Sequence, residues 1–206
     1  METVVITSND LTYAAEVILR GGLVGVPTDT IYGLAGNGLN ADAVSKIYEV
    51  KGRPAIKALI LLVPDLNVAE TVCAVIPEQA HILADAFWPG ALTLILPRRD
   101  NVPDIVAAGG NTIGVRCPDH PKTLELLRLT GVPLAAPSAN ISGMPSPKNV
   151  EEVLAYFDGQ IECVIDGGIS ALGFESTIVD LTVEPYRILR QGALPEEEIR
   201  RALNKE

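Results

Sequence analysis

The sequence predicts a mixed α/β fold, built as one domain over residues 1–206 from a large twisted mixed sheet with flanking helices. Two observations predict this class. Short apolar runs of strand length alternate with segments whose apolar residues recur at helical spacing. Near residues 96–112 and 165–190, strand follows strand with no helix between them, which a regular doubly wound parallel sheet would not allow.

Each strand is predicted from a short apolar run that ends at a polar or turn-forming residue. In chain order, the predicted strands are Val4–Thr7, Leu23–Val26, Ala58–Val63, Ala91–Leu96, Thr112–Cys117, Pro133–Asn140, Cys163–Asp166, Ser176–Leu181 and Arg187–Arg190. Each helix is predicted from apolar residues three and four positions apart. The predicted helices are Asp10–Arg20, Ala41–Val50, Pro77–Phe87, Lys122–Thr130, Asn149–Phe157 and Pro195–Leu203.

Capping residues support the predicted boundaries of the first two helices. Ser8 or Asn9 is expected to cap the first helix, and Gly21 is expected to end it. Asn40 is expected to cap the second helix, since its side chain can accept a hydrogen bond from the first helical turn. Gly36, Gly38 and Ala41 match a dinucleotide-binding pattern, but no strand is predicted directly before them and no acidic residue follows about 20 positions later. A Rossmann site is therefore not expected.

Composition and charge restrict the class of partner. The formal net charge is −10, which argues against a broad basic surface for nucleic acid. The 16 lysines and arginines can still be concentrated in one cleft, where the local field opposes the global one. An anionic small molecule is therefore a more probable ligand class than a nucleic acid.

Cysteine usage and the apolar runs predict the compartment. Cys73, Cys117 and Cys163 are an odd number at wide spacing, which favours buried thiols in a reducing compartment over a disulfide framework or a zinc site. His81 and His120 show no metal-ligand spacing. The start of the chain has no basic and apolar pattern typical of a secretory signal, and the longest apolar runs are strand-sized. We expect a cytoplasmic protein that does not enter a membrane.

Small polar residues follow the strand Leu23–Val26, and strand ends are where α/β sheets hold ligands. The segment is VPTDTIYGL, in which Thr28, Asp29 and Thr30 come directly after a proline. These residues also suit a turn that bonds its own backbone, so a capped turn stays open as the alternative. Four other segments repeat this design of a strand end followed by small polar or cationic residues: KGRP, GVR, PSAN and ESTI.

Cations are concentrated after the second helix. Lys51 and Arg53 suit the negative end of the helix dipole, which could by itself explain them. Gly52 and Pro54 fix the backbone around both, an arrangement suited to holding two cations toward a polyanion such as a triphosphate, and Lys57 adds a third charge.

Alternation along two predicted strands places further polar groups together. A period of two puts Thr112, Gly114 and Arg116 on one face, and the missing side chain of Gly114 is expected to leave room for a carboxylate or phosphate bound by Arg116. Ser138 and Asn140 share parity and are expected to point the same way. Ser146 suits either a helix cap or a phosphate donor.

Seven motifs in one order resemble the YrdC-like family, the threonylcarbamoyl-AMP synthases. They are PTDTIYGL (27–34), KGRP (51–54), FWPGALTLIL (87–96), TIGVRCPDHP (112–121), APSANISGMPSP (136–147), ESTIVDL (175–181) and RILRQG (187–192). The resemblance implies a three-layer YrdC-like fold around a concave cationic cavity, in the short single-domain form. It also implies formation of threonylcarbamoyl-AMP and pyrophosphate from L-threonine, bicarbonate and ATP, for modification of an adenosine in tRNA.

The resemblance also implies roles for residues at matching positions. Lys51 and Arg53 are expected to be catalytic, and Thr30, Arg116 and Ser176 to bind threonine. The residues expected to bind ATP are Arg53, Lys57, Thr112, Ser138, Asn140, Ser146 and Arg190. No protein-bound metal is expected; Mg²⁺ would lie on the phosphates of ATP. Leu62 stands where some relatives carry histidine, which puts threonine selectivity in question.

The implied partners are the substrates and an enzyme that transfers the threonylcarbamoyl group to tRNA. Whether tRNA contacts this chain is left open. Two other functions were weighed: an RNA-binding module, which the acidic composition disfavours, and a carbamoyl-transfer domain of the kind found in hydrogenase maturation proteins, which normally sits in a much longer chain.

Overall fold

A computed structural model describes residues 2–204. Its strands are β1 (Val4–Ile6), β2 (Val24–Val26), β3 (Gly33–Asn37), β4 (Ile60–Leu62), β5 (Leu92–Pro97), β6 (Thr112–Arg116), β7 (Leu134–Ala135), β8 (Cys163–Ile165), β9 (Thr177–Asp180) and β10 (Arg187–Arg190). Its helices are α1 (Thr12–Leu19), α2 (Ala41–Lys51), α3 (Leu66–Glu70), α4 (Glu78–Phe87), α5 (Pro121–Thr130), α6 (Val150–Phe157) and α7 (Glu196–Leu203). A membrane-spanning helix needs about 20 residues, and none of the helices within residues 2–204 approaches that length and apolarity.

All ten strands form one sheet in the order β1-β8-β2-β3-β7-β4-β6-β5-β9-β10. The sheet is mixed, because β4 pairs with β6 in parallel whereas β5 pairs with β6 antiparallel. The predicted class, a large mixed sheet with flanking helices, is confirmed. The crossovers in the strand order bring segments from distant parts of the chain to neighbouring strands.

Neighbouring residues of the central strands pack into two separate cores, as a period of two requires. In β4, Leu61 belongs to one core and Leu62 to the other; in β3, Leu34 and Ala35 are divided in the same way. The larger core includes residues of α2, α4, α6 and α7, and the smaller core includes residues of α1 and α5. Helices therefore cover both faces of the sheet, which gives three layers.

The smaller core covers only part of its face. It receives buried side chains from β1, β2, β3, β4, β7 and β8, but its buried members include no residue of β5, β6, β9 or β10. The same face of β4, β6, β9 and β10 carries Ile60, Arg116, Ile178 and Arg190, which line a cavity instead of packing under a helix. The site described below lies there because α1 and α5 do not extend over this half of the sheet.

The two predicted helix caps have different outcomes. The Asn40 side chain accepts hydrogen bonds from the backbone N–H groups of Asp42 (3.0 Å) and Ala43 (3.2 Å), so the prediction for α2 is confirmed. The prediction for α1 is wrong: the helix begins at Thr12, and neither Ser8 nor Asn9 caps it. The carboxylate of Asp10 instead accepts the N–H of Thr12, and the Ser8 hydroxyl donates to the carbonyl of Asp10.

Two elements were not predicted, and one strand is shorter than predicted. The strand β3 was not predicted because its sequence, GLAGN, is rich in glycine. Its residues are buried on both faces of the sheet, so the sequence shows no polar alternation. The short helix α3 was also missed. The predicted strand Pro133–Asn140 is limited to Leu134–Ala135, after which only a bridge between Ser138 and Gly33 continues the pairing.

The space predicted beside Gly114 is filled. A Cβ atom at Gly114 would lie 2.9 Å from a methyl of Ile60, 3.1 Å from Thr93 and 3.2 Å from Ile95. These side chains come from the neighbouring strands and occupy the position where an anion was expected. The prediction of a ligand between Thr112 and Arg116 is therefore wrong, because side chains of the neighbouring strands occupy this space. Sequence spacing does not reveal such cross-strand neighbours.

The three cysteines are buried and free, as predicted. Burial raises the pKa of Cys73 and Cys163 to about 12 and that of Cys117 to about 11. The thiols therefore stay protonated at neutral pH and act as small apolar side chains.

Candidate active site

The uncovered half of the sheet forms a cavity of about 170 Å³ that opens to solvent. Apolar side chains of β4 and β9 line it, among them Ile60, Leu62 and Ile178. The other lining residues come from the loops that follow β2, α2 and β7, from the segment before β9, from the start of β3 and from the ends of β6 and β10. Their polar members include Thr28, Thr30, Arg53, Arg116, Ser138, Glu175, Ser176 and Arg190.

The segment after β2 forms a turn held by Thr28. The Thr28 hydroxyl accepts the N–H groups of Thr30 (3.1 Å) and Ile31 (3.2 Å) and donates to the carbonyl of Ile31 (2.6 Å). It also lies 2.9 Å from the Thr30 hydroxyl. The capped turn and the binding site are thus not alternatives: Thr28 makes the turn, and the turn presents Thr30 to the cavity.

Arg116 is buried at the end of β6, and its guanidinium is held on three sides. Nε donates to the carbonyl of Gly90 (2.9 Å), Nη1 to the Thr30 hydroxyl (2.8 Å) and Nη2 to the carboxylate of Asp29 (2.5 Å). Burial lowers the pKa of Arg116, and the carboxylate of Asp29 opposes that shift. A guanidinium carries five N–H groups, so one N–H on each terminal nitrogen remains. Because Arg116 lines the cavity, these two groups form a fork suited to a carboxylate.

Asp29 fixes the orientation of this fork. Its carboxylate oxygen accepts from Arg116 and, at 3.0 Å, from the backbone N–H of Asp119. The side chain is 10% exposed, compared with 4% for Arg116, so the pair is shielded from water. A buried, hydrogen-bonded ion pair of this kind holds one geometry, because neither charge can be left alone without a large desolvation cost.

A second cluster lines the same cavity, where β10 returns beside the segment before β9. Arg190 donates from Nε to the carbonyl of Ser176 (3.0 Å), from Nη2 to its hydroxyl (3.2 Å) and from Nη1 to the carboxylate of Glu175 (2.5 Å). The Ser176 hydroxyl also lies 2.8 Å from the hydroxyl of Thr93 on β5. Three strands therefore fix the position of Ser176.

Gly192 allows this close return of the chain, and replacing it by alanine is expected to lower the free energy of unfolding by about 3 kcal/mol. The new Cβ would lie 2.2 Å from the carbonyl oxygen of Glu175 and 2.4 Å from the carbonyl carbon of Ser176. Backbone atoms cannot swing away as a side chain can. Denaturant unfolding measures the effect, with Gly33→Ala as the matched control, because the nearest atoms there are 3.4 Å or more from the new methyl. Equal stability of the two variants would contradict the prediction.

Arg53 is held by its own loop at the mouth of the cavity. Nε donates to the carbonyl of Lys57 (3.0 Å) and Nη2 to that of Ala58 (2.8 Å). Gly52, in the left-handed region with φ of 57°, ends α2 and starts this loop. Burial lowers the pKa of Arg53, and neighbouring Tyr48 and Glu175 oppose the shift. The remaining N–H groups of Arg53 are available to an anion in the cavity.

Lys51 lies behind the cavity wall and not in it. The side chain is 1% exposed, and its Nζ donates to the backbone carbonyls of Ser138 and Asn140. The carbonyl of Lys51 also accepts the N–H of Ser142 at 2.8 Å. Burial lowers the pKa of Lys51 to about 7; Arg53 adds to this shift and Glu175 opposes it. Lys51 therefore anchors the Ser138–Ser142 loop, and the predicted direct contact with a polyanion is not what the geometry supports.

The structure brings six of the eleven predicted site residues together on the cavity wall. These six are Thr30, Arg53, Arg116, Ser138, Ser176 and Arg190. They come from six motifs, one residue from each, spread over 161 residue positions from residue 30 to residue 190. Their convergence in one cavity is the central geometric finding.

The other five do not line the cavity. Besides Lys51, they include Asn140, which is buried with its amide donating to the carbonyls of Ile141 (2.9 Å) and Met144 (2.7 Å). It therefore does not point the same way as Ser138. Lys57 is exposed beside the mouth, and Thr112 is at the far end of β6 from Arg116.

Ser146 is half-buried and does not cap α6. That position belongs to Asn149, whose side chain accepts the N–H of Glu152 at 2.9 Å. Of the two roles that the sequence left open for Ser146, the helix cap is therefore wrong.

Tyr32, Glu175 and Thr93 were not predicted to belong to the site: Tyr32 and Glu175 line the cavity, and Thr93 contacts Ser176. Thr28 and Asp29 belong to the polar segment predicted after β2; Thr28 lines the cavity, and Asp29 holds Arg116.

Alternation along the predicted strand Ser176–Leu181 groups Ser176 with Ile178 and puts Glu175 on the opposite face, so the sequence pattern does not reveal Glu175. The strand begins only at Thr177, so Glu175 and Ser176 precede the regular alternation and both reach the cavity.

Comparison with known proteins gives consistent matches. The family model Sua5_yciO_yrdC, described as telomere recombination, matches residues 16–192. The chain is 47% identical over 192 residues to a protein from Pyrococcus abyssi named threonylcarbamoyl-AMP synthase, covering 93% of this chain and 56% of that protein. It is 44% identical over 197 residues to the Bacillus subtilis protein of the same name, covering 94% of this chain and 57% of the relative.

A solved structure of P. abyssi Sua5, complexed with L-threonine, has a TM-score of 0.96 to this chain at 45% identity. The match covers 98% of this chain and 61% of that one. The chain thus spans a little over half the length of the two relatives above.

Proposed function

The chain belongs to the Sua5/YciO/YrdC family, as its seven motifs predicted, and on that premise we propose that it is a threonylcarbamoyl-AMP synthase. It converts L-threonine, bicarbonate and ATP to L-threonylcarbamoyladenylate and pyrophosphate. One observation carries the proposal: three arginines and three hydroxyl side chains, predicted from separate motifs, line a single cavity. The crystal structure of P. abyssi Sua5 complexed with L-threonine supports threonine as the amino-acid substrate.

The Arg116 side of the cavity suits threonine. The two remaining N–H groups of Arg116 match the spacing of a carboxylate, and Ser176 adds a hydroxyl nearby. Leu62 lies directly beside Arg116, paired with it across β4 and β6, and supplies an apolar contact for the methyl group of threonine. Thr30 is fully buried, and its hydroxyl accepts a hydrogen bond from Arg116. Its main effect is therefore to position the guanidinium.

The opposite side suits ATP. Arg53 and Arg190 present cationic N–H groups, and Ser138 adds a hydroxyl. We propose that Mg²⁺ arrives on the phosphates of ATP as part of the substrate. Lys57, exposed at the mouth, would attract the incoming polyanion, while Lys51 and Asn140 hold the Ser138 loop. Thr112 and Ser146 were also predicted to bind ATP, and a contact from either would require a ligand that reaches beyond the lining residues described above.

The chemistry needs charge neutralisation and alignment more than a protein nucleophile. The amine of threonine, once it has lost a proton, attacks the carbon of bicarbonate, and the hydroxyl of bicarbonate leaves as water to give a carbamate. A carbamate oxygen then attacks the α-phosphorus of ATP with pyrophosphate leaving. All three reactants carry negative charge, which three arginines and Mg²⁺ offset. Alignment of bound reactants alone lowers such barriers by roughly 7–11 kcal/mol.

The product requires a second enzyme. A threonylcarbamoyl adenylate is an activated mixed anhydride, so we propose a partner enzyme that transfers the threonylcarbamoyl group to an adenosine of tRNA. We place the reaction in the cytoplasm, where the three buried free thiols suit the reducing conditions. Direct contact with tRNA is not part of the proposal, because the net charge of −10 disfavours it.

Pyrophosphate release tests the function directly. We expect release from ATP only when threonine and bicarbonate are both present, since the carbamate must form before the α-phosphorus is attacked. Each reactant is left out in turn, and serine and valine replace threonine to test the pocket beside Leu62. Release that is indifferent to threonine would end the proposal.

A further inference from the structure

We propose that Glu175 is the general base of the site: it accepts the proton that the amine of the amino acid loses before attacking bicarbonate. This inference rests on the function proposed above and adds a catalytic residue to it. It assigns to Glu175 a contact with the substrate amine, in addition to its ion pair with Arg190.

The proton balance of carbamate formation requires such an acceptor. At neutral pH the amino acid is a zwitterion with three N–H protons on its ammonium group. The reaction of an ammonium with bicarbonate gives a carbamate, one water and one proton. One N–H proton goes with the departing hydroxide of bicarbonate to form the water, and the other must pass to a base. An ammonium has no free electron pair, so this second transfer has to come first.

Glu175 supplies a negative charge in the cavity that a substrate ammonium can pair with. Among the described residues that line the cavity, Arg53, Arg116 and Arg190 are cationic and Glu175 alone carries a carboxylate. The nearby carboxylate of Asp29 is 10% exposed and already accepts from Arg116 and Asp119. A substrate ammonium placed among three arginines needs an anionic partner, because like charges at close range repel strongly in a shielded site.

The geometry leaves Glu175 free to exchange protons. Its side chain is 42% exposed, and one oxygen, Oε2, accepts from Nη1 of Arg190. The other oxygen has no hydrogen-bond donor among residues 2–204. Glu175 directly precedes Ser176, so it borders the threonine side of the cavity while Arg190 connects it to the ATP side. The charged groups that face it are Arg190 on β10 and, from the end of α2 and its loop, Lys51 and Arg53.

The Glu175 carboxylate takes a proton from the ammonium, and the N–H electron pair stays on nitrogen. That pair forms the bond to the carbon of bicarbonate, the bond from carbon to hydroxyl breaks, and the hydroxide takes a second N–H proton to leave as water. The protonated Glu175 then returns its proton to solvent through the open mouth of the cavity. General bases of this kind contribute about 100- to 10,000-fold.

The test is the pH dependence of kcat/KM for threonine in Glu175→Gln, measured by pyrophosphate release at saturating ATP and bicarbonate. The wild-type protein can use threonine with a protonated amine, because Glu175 removes the proton. The glutamine variant can use only the small fraction of threonine whose amine is already deprotonated in solution. The ratio of variant to wild-type activity is therefore expected to rise about tenfold per pH unit between about pH 6 and 8. Near pH 6.5 the variant is expected to be at least about 100-fold slower.

Glu175→Asp is the matched control, since it keeps a carboxylate in a shorter side chain. Its ratio to wild type is expected to be low but constant with pH, and thermal unfolding of both variants is expected to match wild type. A constant ratio for Glu175→Gln would overturn the inference, because a residue that only holds Arg190 would raise KM for ATP without changing the pH profile. If the wild-type protein itself released no pyrophosphate in response to threonine, the proposed function would be refuted. The wild-type measurement therefore distinguishes this failure from a failure of the Glu175 inference.

Discussion

Replacing Arg116 by alanine is expected to lower kcat/KM for threonine by about 1,000-fold. The variant removes the fork that binds the substrate carboxylate and leaves Asp29 as a buried, unpaired charge. Breaking one side of a buried ion pair costs about 3–5 kcal/mol of stability. Both effects have one cause, the loss of the guanidinium that joins Thr30, Asp29 and the carbonyl of Gly90. Pyrophosphate release and denaturant unfolding measure them separately.

A double variant of the Arg116–Asp29 pair separates the effect on stability from the effect on substrate binding. Arg116→Met combined with Asp29→Asn removes both charges, so most of the lost stability is expected to return while activity stays lost. Arg128→Ala is the control for removing an arginine, since that side chain is 60% exposed and only 3.8 Å from a surface glutamate. Substantial activity in the double variant would show that Arg116 does not bind the substrate.

Replacing Lys51 by methionine is expected to lower kcat by at least about 100-fold, although the lysine does not line the cavity. The change leaves the buried carbonyls of Ser138 and Asn140 without their donor. The loop that presents Ser138 to the phosphates then loses its anchor. Lys46→Met is the matched control, because Lys46 lies on the same helix but bonds to the carbonyl of Gly21 outside the site. Equal losses in the two variants would contradict the anchoring role.

The pH dependence of stability provides an independent check on Lys51. Its pKa is lowered from 10.5 to about 7 by burial, so between these values the native protein has released a proton that the unfolded chain still holds. Stability rises with pH wherever the unfolded state binds more protons. The wild-type free energy of unfolding is therefore expected to increase from about pH 7 to about pH 10 more than that of Lys51→Met. Parallel curves would show that Lys51 keeps an ordinary pKa.

Local patterns were sufficient for much of the fold. Asn40 marked the start of α2 because a cap depends only on the next few residues. The strand at Thr112–Arg116 was evident from its alternation, and the absence of helices near residues 96–112 and 165–190 predicted a mixed sheet. The strand β3 was not recoverable, because pairing with β2 and β7 holds this segment extended and its own residues do not. The strand β7 was predicted, but its short length was not.

The sequence by itself determined the class of the fold, the family, and a set of polar residues at strand ends from which the cavity is built. Only the tertiary structure decided which of them face the cavity. It turned Lys51 toward two carbonyls, filled the space at Gly114 with neighbouring side chains, paired Asp29 with Arg116 and added Glu175 to the site. The physical reason is that hydrogen-bond partners of a buried charge come from segments far apart in the chain, so their positions follow from sheet order and not from spacing along the sequence.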